Sequence, residues 1–222
     1  MTLTLSSGPL PGRRRAGEER AQLARVWSLM GTGLVCSALP GRARLKTGEE
    51  REVWAGSGRD RDLLLDLFRR LSLDTVLLRF LRPVKYWEPI VDEILSNAKL
   101  IVLAGTIGLE AVASAEAYDT GIRGVAELGI VVRDDIQGRG LGTVLTALVG
   151  LCLLENGYKA LEAYFDPFNI PMRRIIVEKL GGRIVGQGRD MVFTRLDLEP
   201  NRDRLLRALE GRYTPSRGAL GA

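Results

Sequence analysis

The chain of 222 residues contains no histidine and only two cysteines, Cys36 and Cys152. The lack of histidine excludes serine–histidine–carboxylate triads, histidine general bases and histidine metal clusters. Two thiols are too few for a four-ligand zinc site or a framework of several disulfides, and we interpret them as the cysteines of a cytoplasmic protein in a reducing environment. Any chemistry must therefore rest on carboxylates, hydroxyl groups, backbone dipoles or a bound cofactor.

Long hydrophobic runs are also missing, and the part of the chain that we expect to fold has almost no net charge. No stretch approaches the ~20 apolar residues of a membrane-spanning helix, so we expect no membrane partner. The formal charge is +5, but residues 1–48 hold eight basic and two acidic residues, a balance of +6. Residues 49–222 hold 24 basic and 25 acidic residues, a balance of −1. We therefore expect no direct binding of nucleic acid by the domain.

This charge division suggests three parts of the chain. Residues 1–48 are interpreted as a basic N-terminal extension, expected to be disordered because its first half combines a triple arginine with few apolar residues. Residues 49–199 have the regular hydrophobic pattern of one domain, and residues 200–222 read as a C-terminal helix and tail. Oligomeric state is not readable from this pattern.

Hydrophobic periodicity predicts a domain that mixes helices and strands. Three short β-rich runs joined by tight turns predict an antiparallel meander over residues 100–105, 111–118 and 125–132. A helical period follows from residue 142 to about residue 157 and predicts a long buried helix. Further strands are predicted over 52–55, 160–165, 183–186 and 191–198, and further helices over 60–71, 87–96, 171–180 and 201–211.

Residues 126–143 carry the chemistry of the sequence. There a strand runs through a charged turn into Gln-Gly-Arg-Gly-Leu-Gly at 137–142, and a long apolar helix follows. Glycines at such a junction let an anion approach the backbone, and the free N–H groups of the first helical turn can hold a phosphate. A P-loop is excluded because Thr143, not lysine, follows Gly142. The glycine spacing also differs from that of a dinucleotide fingerprint.

The hexapeptide at 137–142 resembles the acetyl-CoA loop (Gln/Arg-x-x-Gly-x-Gly/Ala) of the GCN5-related N-acetyltransferases, the GNAT family. Residues 126–132 are similar to that family's fourth strand, and residues 169–181 to the exit of its fifth strand and the next helix. Leu-Ser-Leu-Asp at 71–74 and Leu-Arg-Phe at 78–80 are similar to a segment of the Pat-like protein lysine acetyltransferases. The resemblance covers residues 50–198.

The resemblance implies an α/β (α+β) fold with a mixed, mostly antiparallel sheet of six to seven strands and about four helices. Strands four and five of that sheet splay apart in a V, which takes the pantetheine arm of acetyl-CoA as co-substrate. An amine then attacks the thioester directly in a ternary complex, without a metal or a covalent intermediate. The residues implied in acetyl-CoA binding are Ile130, Val131, Val132, Gln137, Gly138, Arg139, Gly140, Leu141, Gly142 and Asn169.

The resemblance also assigns Glu127 as the general base that takes the amine proton; a solvent-facing strand carboxylate is the alternative. Asn169 can serve equally as a helix N-cap. Relatives often carry a tyrosine on the following helix to protonate the thiolate, but residues 174–178 read Arg-Ile-Ile-Val-Glu. Tyr164 could replace it, although packing within its strand is the simpler role. Arg79 and Phe80 are interpreted as a surface arginine and a packed aromatic in a connection between helices, and a role at the acceptor site is the alternative.

The function implied is acetyl transfer to a primary amine, with the side chain of a lysine in a protein as the first choice of acceptor. A small amine or an antibiotic is the second choice. A non-catalytic acyl-CoA sensor, or a nucleic-acid binder that uses its N-terminal tail, is the alternative from a different class.

Overall fold

The computed structural model describes residues 34–216, so residues 1–33 of the N-terminal extension that we expected to be disordered lie outside this range, whereas residues 34–48 lie within it. The strands are β1 (Gly41–Arg44), β2 (Glu50–Ala55), β3 (Leu100–Thr106), β4 (Glu110–Asp119), β5 (Val125–Val132), β6 (Ala160–Phe165), β7 (Arg183–Gln187), β8 (Val192–Asp197) and β9 (Tyr213–Pro215). The helices are α1 (Arg61–Arg69), α2 (Leu73–Phe80), α3 (Glu88–Asn97), α4 (Leu141–Glu155), α5 (Ile170–Arg173) and α6 (Arg202–Leu209). A π-helical turn, Arg174–Lys179, continues α5.

The nine strands form one sheet in the order β7-β8-β6-β5-β4-β3-β2-β1-β9. Within residues 34–216, β5 and β6 are the parallel pair of the sheet, and all its other neighbours are antiparallel. The predicted mixed, mostly antiparallel sheet is confirmed, as is the meander of β3, β4 and β5. The counts differ from the prediction, because residues 34–216 form nine strands and six helices instead of six to seven strands and about four helices.

Two of the additional strands lie outside the predicted domain. β1 lies within residues 1–48 and pairs with β2, so the sheet begins before residue 49. β9 lies within the segment interpreted as a tail, and it pairs with β1. In β1 the buried Ala43 alternates with the exposed Arg42 and Arg44. Four residues with two arginines are too short a pattern to distinguish a strand from a basic tail.

Helix α2 is an addition to the predicted helices, and it includes Arg79 and Phe80, which were interpreted as part of a connection between helices. Ser72 caps its N-terminus by accepting a hydrogen bond from the Thr75 amide at 3.2 Å. Asp134 accepts bonds from the hydroxyls of Ser72 and Thr75, both at 2.6 Å, and so ties the helix to the loop after β5. Leu73 and Leu77 are exposed, which interrupts the apolar stripe on which a sequence-based prediction of a helix depends.

The sheet carries a hydrophobic core on each face. Helix α4 packs on one face, where every second residue of β4 is a buried alanine (Ala113, Ala115 and Ala117). It is apolar all round because α6 covers its other side, and Gly150 lets Leu205 of α6 approach closely. Helices α1 and α3 cover the opposite face around β3 and β4. No helix within residues 34–216 is long and apolar enough to cross a bilayer.

A disulfide joins Cys36 to Cys152 of α4. This corrects the interpretation of the two cysteines as free thiols, and the sequence did not show it because 116 positions separate them. Backbone contacts hold the same N-terminal segment: the Ser37 amide donates to the Glu155 carboxylate at 2.8 Å, and the Val35 amide donates to the side chain of Asn156 at 3.1 Å. The segment before β1 is therefore anchored to the C-terminal end of α4.

Candidate active site

The candidate site begins where β5 and β6 separate. The two strands pair over only three positions, Val125 to Glu127 on β5 with Ala160 to Glu162 on β6. β5 continues to Val132, so its second half has no β6 partner and its edge is open on that side. A cavity of about 320 Å³ opens here, lined by Ile130 to Val132 of β5 and by residues of α2, α4 and α5.

The glycine-rich turn forms one end of this cavity. Gly138 and Gly140 have φ values of 72° and 91°, in the left-handed region that glycine adopts without strain. Gly140 is the N-cap of α4 and has no side chain to satisfy the first-turn amides. A Cβ at Gly142 would lie 3.2 Å from the Ile175 side chain, so the wall leaves little room beyond glycine. The free amides and the helix dipole fit a diphosphate.

Gln137 connects this turn to α2. Its side-chain amide donates to the Val132 carbonyl at 2.9 Å and to the Thr75 hydroxyl at 3.0 Å. The side chain therefore fixes the position of the glycine turn relative to β5, and Thr75 itself lines the cavity.

Glu127 is half-buried on β5, at the last residue that pairs with β6. Burial raises the pKa of its carboxyl group; the Arg79 cation opposes this rise and the Glu162 carboxylate adds to it. A raised pKa makes Glu127 a stronger base than an exposed glutamate. It lies outside the cavity wall, whereas Arg79 is part of that wall.

Arg79 forms a buried ion pair with Glu116 of β4. Their side chains meet at 2.7 Å and are 16% and 0% exposed. Gly129, opposite Glu116 in the register of β4 and β5, makes this possible because a Cβ there would collide with the Arg79 guanidinium. Arg79 is thus not the surface residue that the sequence suggested: it sits on the sheet at the inner wall of the cavity.

Comparison with known proteins identifies the fold. The GNAT domain of S. lividans PAT is 21% identical to this chain, with a TM-score of 0.64 over 72% of this chain and 97% of that domain. Mycobacterium smegmatis RimJ, in complex with CoA-disulfide, is 19% identical, with a TM-score of 0.58 over 81% and 99% of the chains. The chain has the GNAT fold. No protein-family profile and no curated protein sequence matches it.

A third GNAT structure, yncA from Salmonella typhimurium with its cofactor acetyl-CoA, is 18% identical, with a TM-score of 0.52 over 68% of this chain and 95% of that one. The separation of β5 and β6 corresponds to the V-shaped splay expected between strands four and five of the GNAT fold. Nine of the ten residues predicted to contact acetyl-CoA line the cavity: Ile130, Val131, Val132, Gln137, Gly138, Gly140, Leu141, Gly142 and Asn169.

The tenth predicted residue, Arg139, is the exception. Its guanidinium lies 3.2 Å from the Glu49 carboxylate instead of in the cavity wall. Asn169 has the N-cap role that the sequence offered as an alternative, since its side chain accepts a hydrogen bond from the Met172 amide at 3.1 Å. It also lines the cavity.

Tyr164 packs within the GNAT sheet as expected. Its hydroxyl donates to Glu162 at 2.9 Å, its ring lies against Phe193 with centroids 5.3 Å apart, and burial raises its pKa to about 12. The phenol is therefore protonated at neutral pH. Glu162 is also paired with Arg195 at 2.9 Å. This network holds Glu162 in place beside Glu127.

Sequence reasoning missed the cations of the cavity. Lys46, Arg174 and Lys179 line it together with Arg79. They come from the turn after β1, from the π-helical turn and from α2, which are far apart in sequence. A search for sequence motifs could not find these residues, because the three segments have no fixed spacing along the chain.

Proposed function

We propose that this protein transfers the acetyl group of acetyl-CoA to a primary amine. The observation that carries the proposal is one cavity that joins an open strand edge on β5 to the glycine cradle at the start of α4. An extended pantetheine arm can pair with such an edge, and the cradle amides suit a diphosphate. The GNAT structures with acetyl-CoA and with CoA-disulfide support this choice of ligand.

Acetyl-CoA supplies an activated thioester carbonyl. In the proposed reaction the amine nitrogen bonds to that carbonyl carbon, the carbon–sulfur bond breaks and CoA leaves as the thiolate. The chain contributes a proton acceptor: Glu127 takes the proton from the amine, directly or through one water. A lysine of pKa about 10.4 is neutral in only about one molecule in 2,500 at pH 7, equivalent to about 4.6 kcal/mol. The raised pKa of Glu127 suits this task.

The side chain of a lysine in a protein is the acceptor we favour. The support is the similarity of residues 71–80 to the Pat-like enzymes, and these residues form the cap and body of α2 at the cavity. The carboxylates of Glu127 and Glu162 lie next to each other in the register of β5 and β6, and would attract a protonated amine. A small amine or an antibiotic is the acceptor to test beside it.

Thiol release from acetyl-CoA tests the activity. The full chain is incubated with acetyl-CoA and, separately, with a lysine-rich protein, spermidine or an aminoglycoside, and free CoA is followed with a thiol reagent. We expect the fastest release with the protein, and mass spectrometry should find acetylated lysine. Faster release with spermidine or the aminoglycoside would move the acceptor to small amines. No release with any acceptor would leave an acyl-CoA sensor as the function.

The substitution Glu127→Gln tests the base. We expect kcat to fall by about 10²-fold or more, because the amide cannot accept the proton. The affinity for acetyl-CoA, measured by calorimetry, should be unchanged. Glu210→Gln is the matched control, an exposed carboxylate at the end of α6 without an ion pair among residues 34–216. Equal rates for the Glu127 and Glu210 variants would remove Glu127 from the mechanism.

A further inference from the structure

Four cations gather at the glycine end of the cavity. Lys46, Arg174 and Lys179 line it. Arg212 reaches the same end, because it donates to the Arg139 carbonyl at 3.0 Å and fills the space that a Cβ at Gly140 would need. The Lys179 ammonium is bound at 3.2 Å to the Thr143 hydroxyl, in the first turn of α4. The Lys46 backbone amide also donates to the Arg139 carbonyl, and Arg174 is close enough to Lys179 to lower its pKa, so all four cations lie near the glycine-rich turn.

None of these four cations forms an ion pair within residues 34–216. Among residues 34–216 none of the four has a carboxylate within 4.0 Å, whereas the neighbouring Arg139 is paired with Glu49. The pKa of Lys179 is lowered by burial and by the charges of Lys46, Arg212 and Arg174, and the Glu178 carboxylate opposes this only in part. Like charges held together in this way cost free energy that a bound anion would recover.

The cradle alone does not account for so much positive charge. Backbone amides and the helix dipole act as about half a unit charge, which suits a diphosphate, and four full charges lie next to them. A phosphate monoester carries about −1.5 to −2 charges near pH 7 and accepts several hydrogen bonds from lysine and arginine. Coenzyme A has one such group, the 3′-phosphate of its adenosine.

We infer that Lys46, Arg174, Lys179 and Arg212 form a second anion subsite, which binds the 3′-phosphate of CoA and distinguishes CoA from dephospho-CoA. This inference rests on the proposed acetyl-CoA ligand. The subsite is assembled from three parts of the chain: the turn after β1, the π-helical turn after α5 and the residues that precede β9.

Binding of CoA and of dephospho-CoA to the full chain, measured by calorimetry at fixed ionic strength, tests the subsite. We expect the wild type to bind CoA about 10-fold to 100-fold more tightly than dephospho-CoA. The substitutions Lys46→Gln and Lys179→Gln, singly and together, should bring this ratio toward one while changing the affinity for dephospho-CoA little. Lys159→Gln, at an exposed lysine that lies outside the cavity wall, should keep the ratio of the wild type.

Equal affinities of the wild type for the two ligands would overturn the inference. If the variants weaken both ligands equally, the cations serve the diphosphate, and the inference fails as well. The thiol-release assay separates this result from the proposed function. Acetyl transfer by a protein that binds CoA and dephospho-CoA equally would rule out only the subsite. Preference for CoA by a protein that transfers no acetyl group would rule out only the catalytic proposal. Binding of adenosine 3′,5′-bisphosphate that is lost in the Lys46 and Lys179 variants would support the subsite independently of the thioester.

Discussion

At the scale of single residues, the charges around Glu127 decide how transfer should depend on pH. Arg79 approaches from α2, Glu116 and Tyr118 lie on β4, and Glu162 and Tyr164 lie on β6. A base works only when ionised, so the rate should fall as the pH drops through the pKa of Glu127. Since burial and Glu162 raise that pKa, we expect the fall at a higher pH than for an exposed glutamate.

The substitution Glu162→Gln should lower the pKa of Glu127, because it removes the like charge that raises it. The amide oxygen can still accept the hydrogen bond from Tyr164. We expect the acidic limb of the pH profile of kcat/KM to move to lower pH. The Glu210→Gln control should keep the profile of the wild type, and a limb that moves to higher pH would contradict this account of the site.

Gly129 is the second residue with a measurable consequence. A methyl group there would displace the Arg79 guanidinium from Glu116, whose carboxylate is fully buried. Gly129→Ala should therefore lower the free energy of unfolding by about 2–4 kcal/mol, measured by urea denaturation. Gly58→Ala is the control, since Gly58 has an ordinary φ and open space around its Cβ position. If the two variants unfold at the same urea concentration, the buried pair is not held as described.

At the scale of elements, α2 links β4 to the glycine turn, through the Arg79–Glu116 ion pair and the bond between Thr75 and Gln137. Its N-cap Ser72 is bonded to both Thr75 and Asp134. Ser72→Ala should lower the free energy of unfolding by about 1 kcal/mol, the usual cost of an N-cap. Ser96→Ala is the matched control, because the Ser96 hydroxyl only bonds to a carbonyl within its own helix. Equal stability of the two variants would mean that the cap does not hold α2.

The elements differ in how far the sequence could predict them. The bounds of β5 and the start of α4 followed from a change of hydrophobic period across a glycine-rich turn, a signal contained in one segment of 18 residues. The cavity-lining residues of that segment were proposed as acetyl-CoA contacts because residues 137–142 resemble the acetyl-CoA loop of the GNAT family, which is also a local signal. By contrast, β1 and β9 are short, and each becomes a strand only through pairing with a distant partner.

The same limit applies to the cations and to Arg79. Lys46 and Lys179 are separated by more than a hundred residues, and only the folded chain brings them to one cavity. Arg79 is buried because Gly129 leaves space for it and Glu116, opposite Gly129 in the sheet, pairs with it. Both residues are distant from Arg79 in the sequence. Local patterns predict local structure, and this site combines one local motif with several long-range contacts.

At the scale of the whole molecule, the Cys36–Cys152 disulfide closes a loop of more than a hundred residues. Replacing both cysteines by serine should lower the free energy of unfolding by about 2–5 kcal/mol. Denaturation with and without a reductant measures the effect, and the reductant should not affect the double variant. Treating intact cells with a thiol-alkylating reagent before lysis tests whether the bond exists in the cell. Alkylation of both cysteines would show that it is absent in the cell. A protected pair would contradict the reducing location that the cysteine content suggested.

The pairing of β1 with β9 places two distant parts of the chain side by side. The Ser216 amide donates to the Pro40 carbonyl at 2.9 Å, so the chain enters and leaves the sheet at neighbouring points. Neighbouring antiparallel strands lie about 5 Å apart. Spectroscopic labels attached at residues 40 and 216 of the full chain should therefore stay close together for as long as this edge of the sheet is formed.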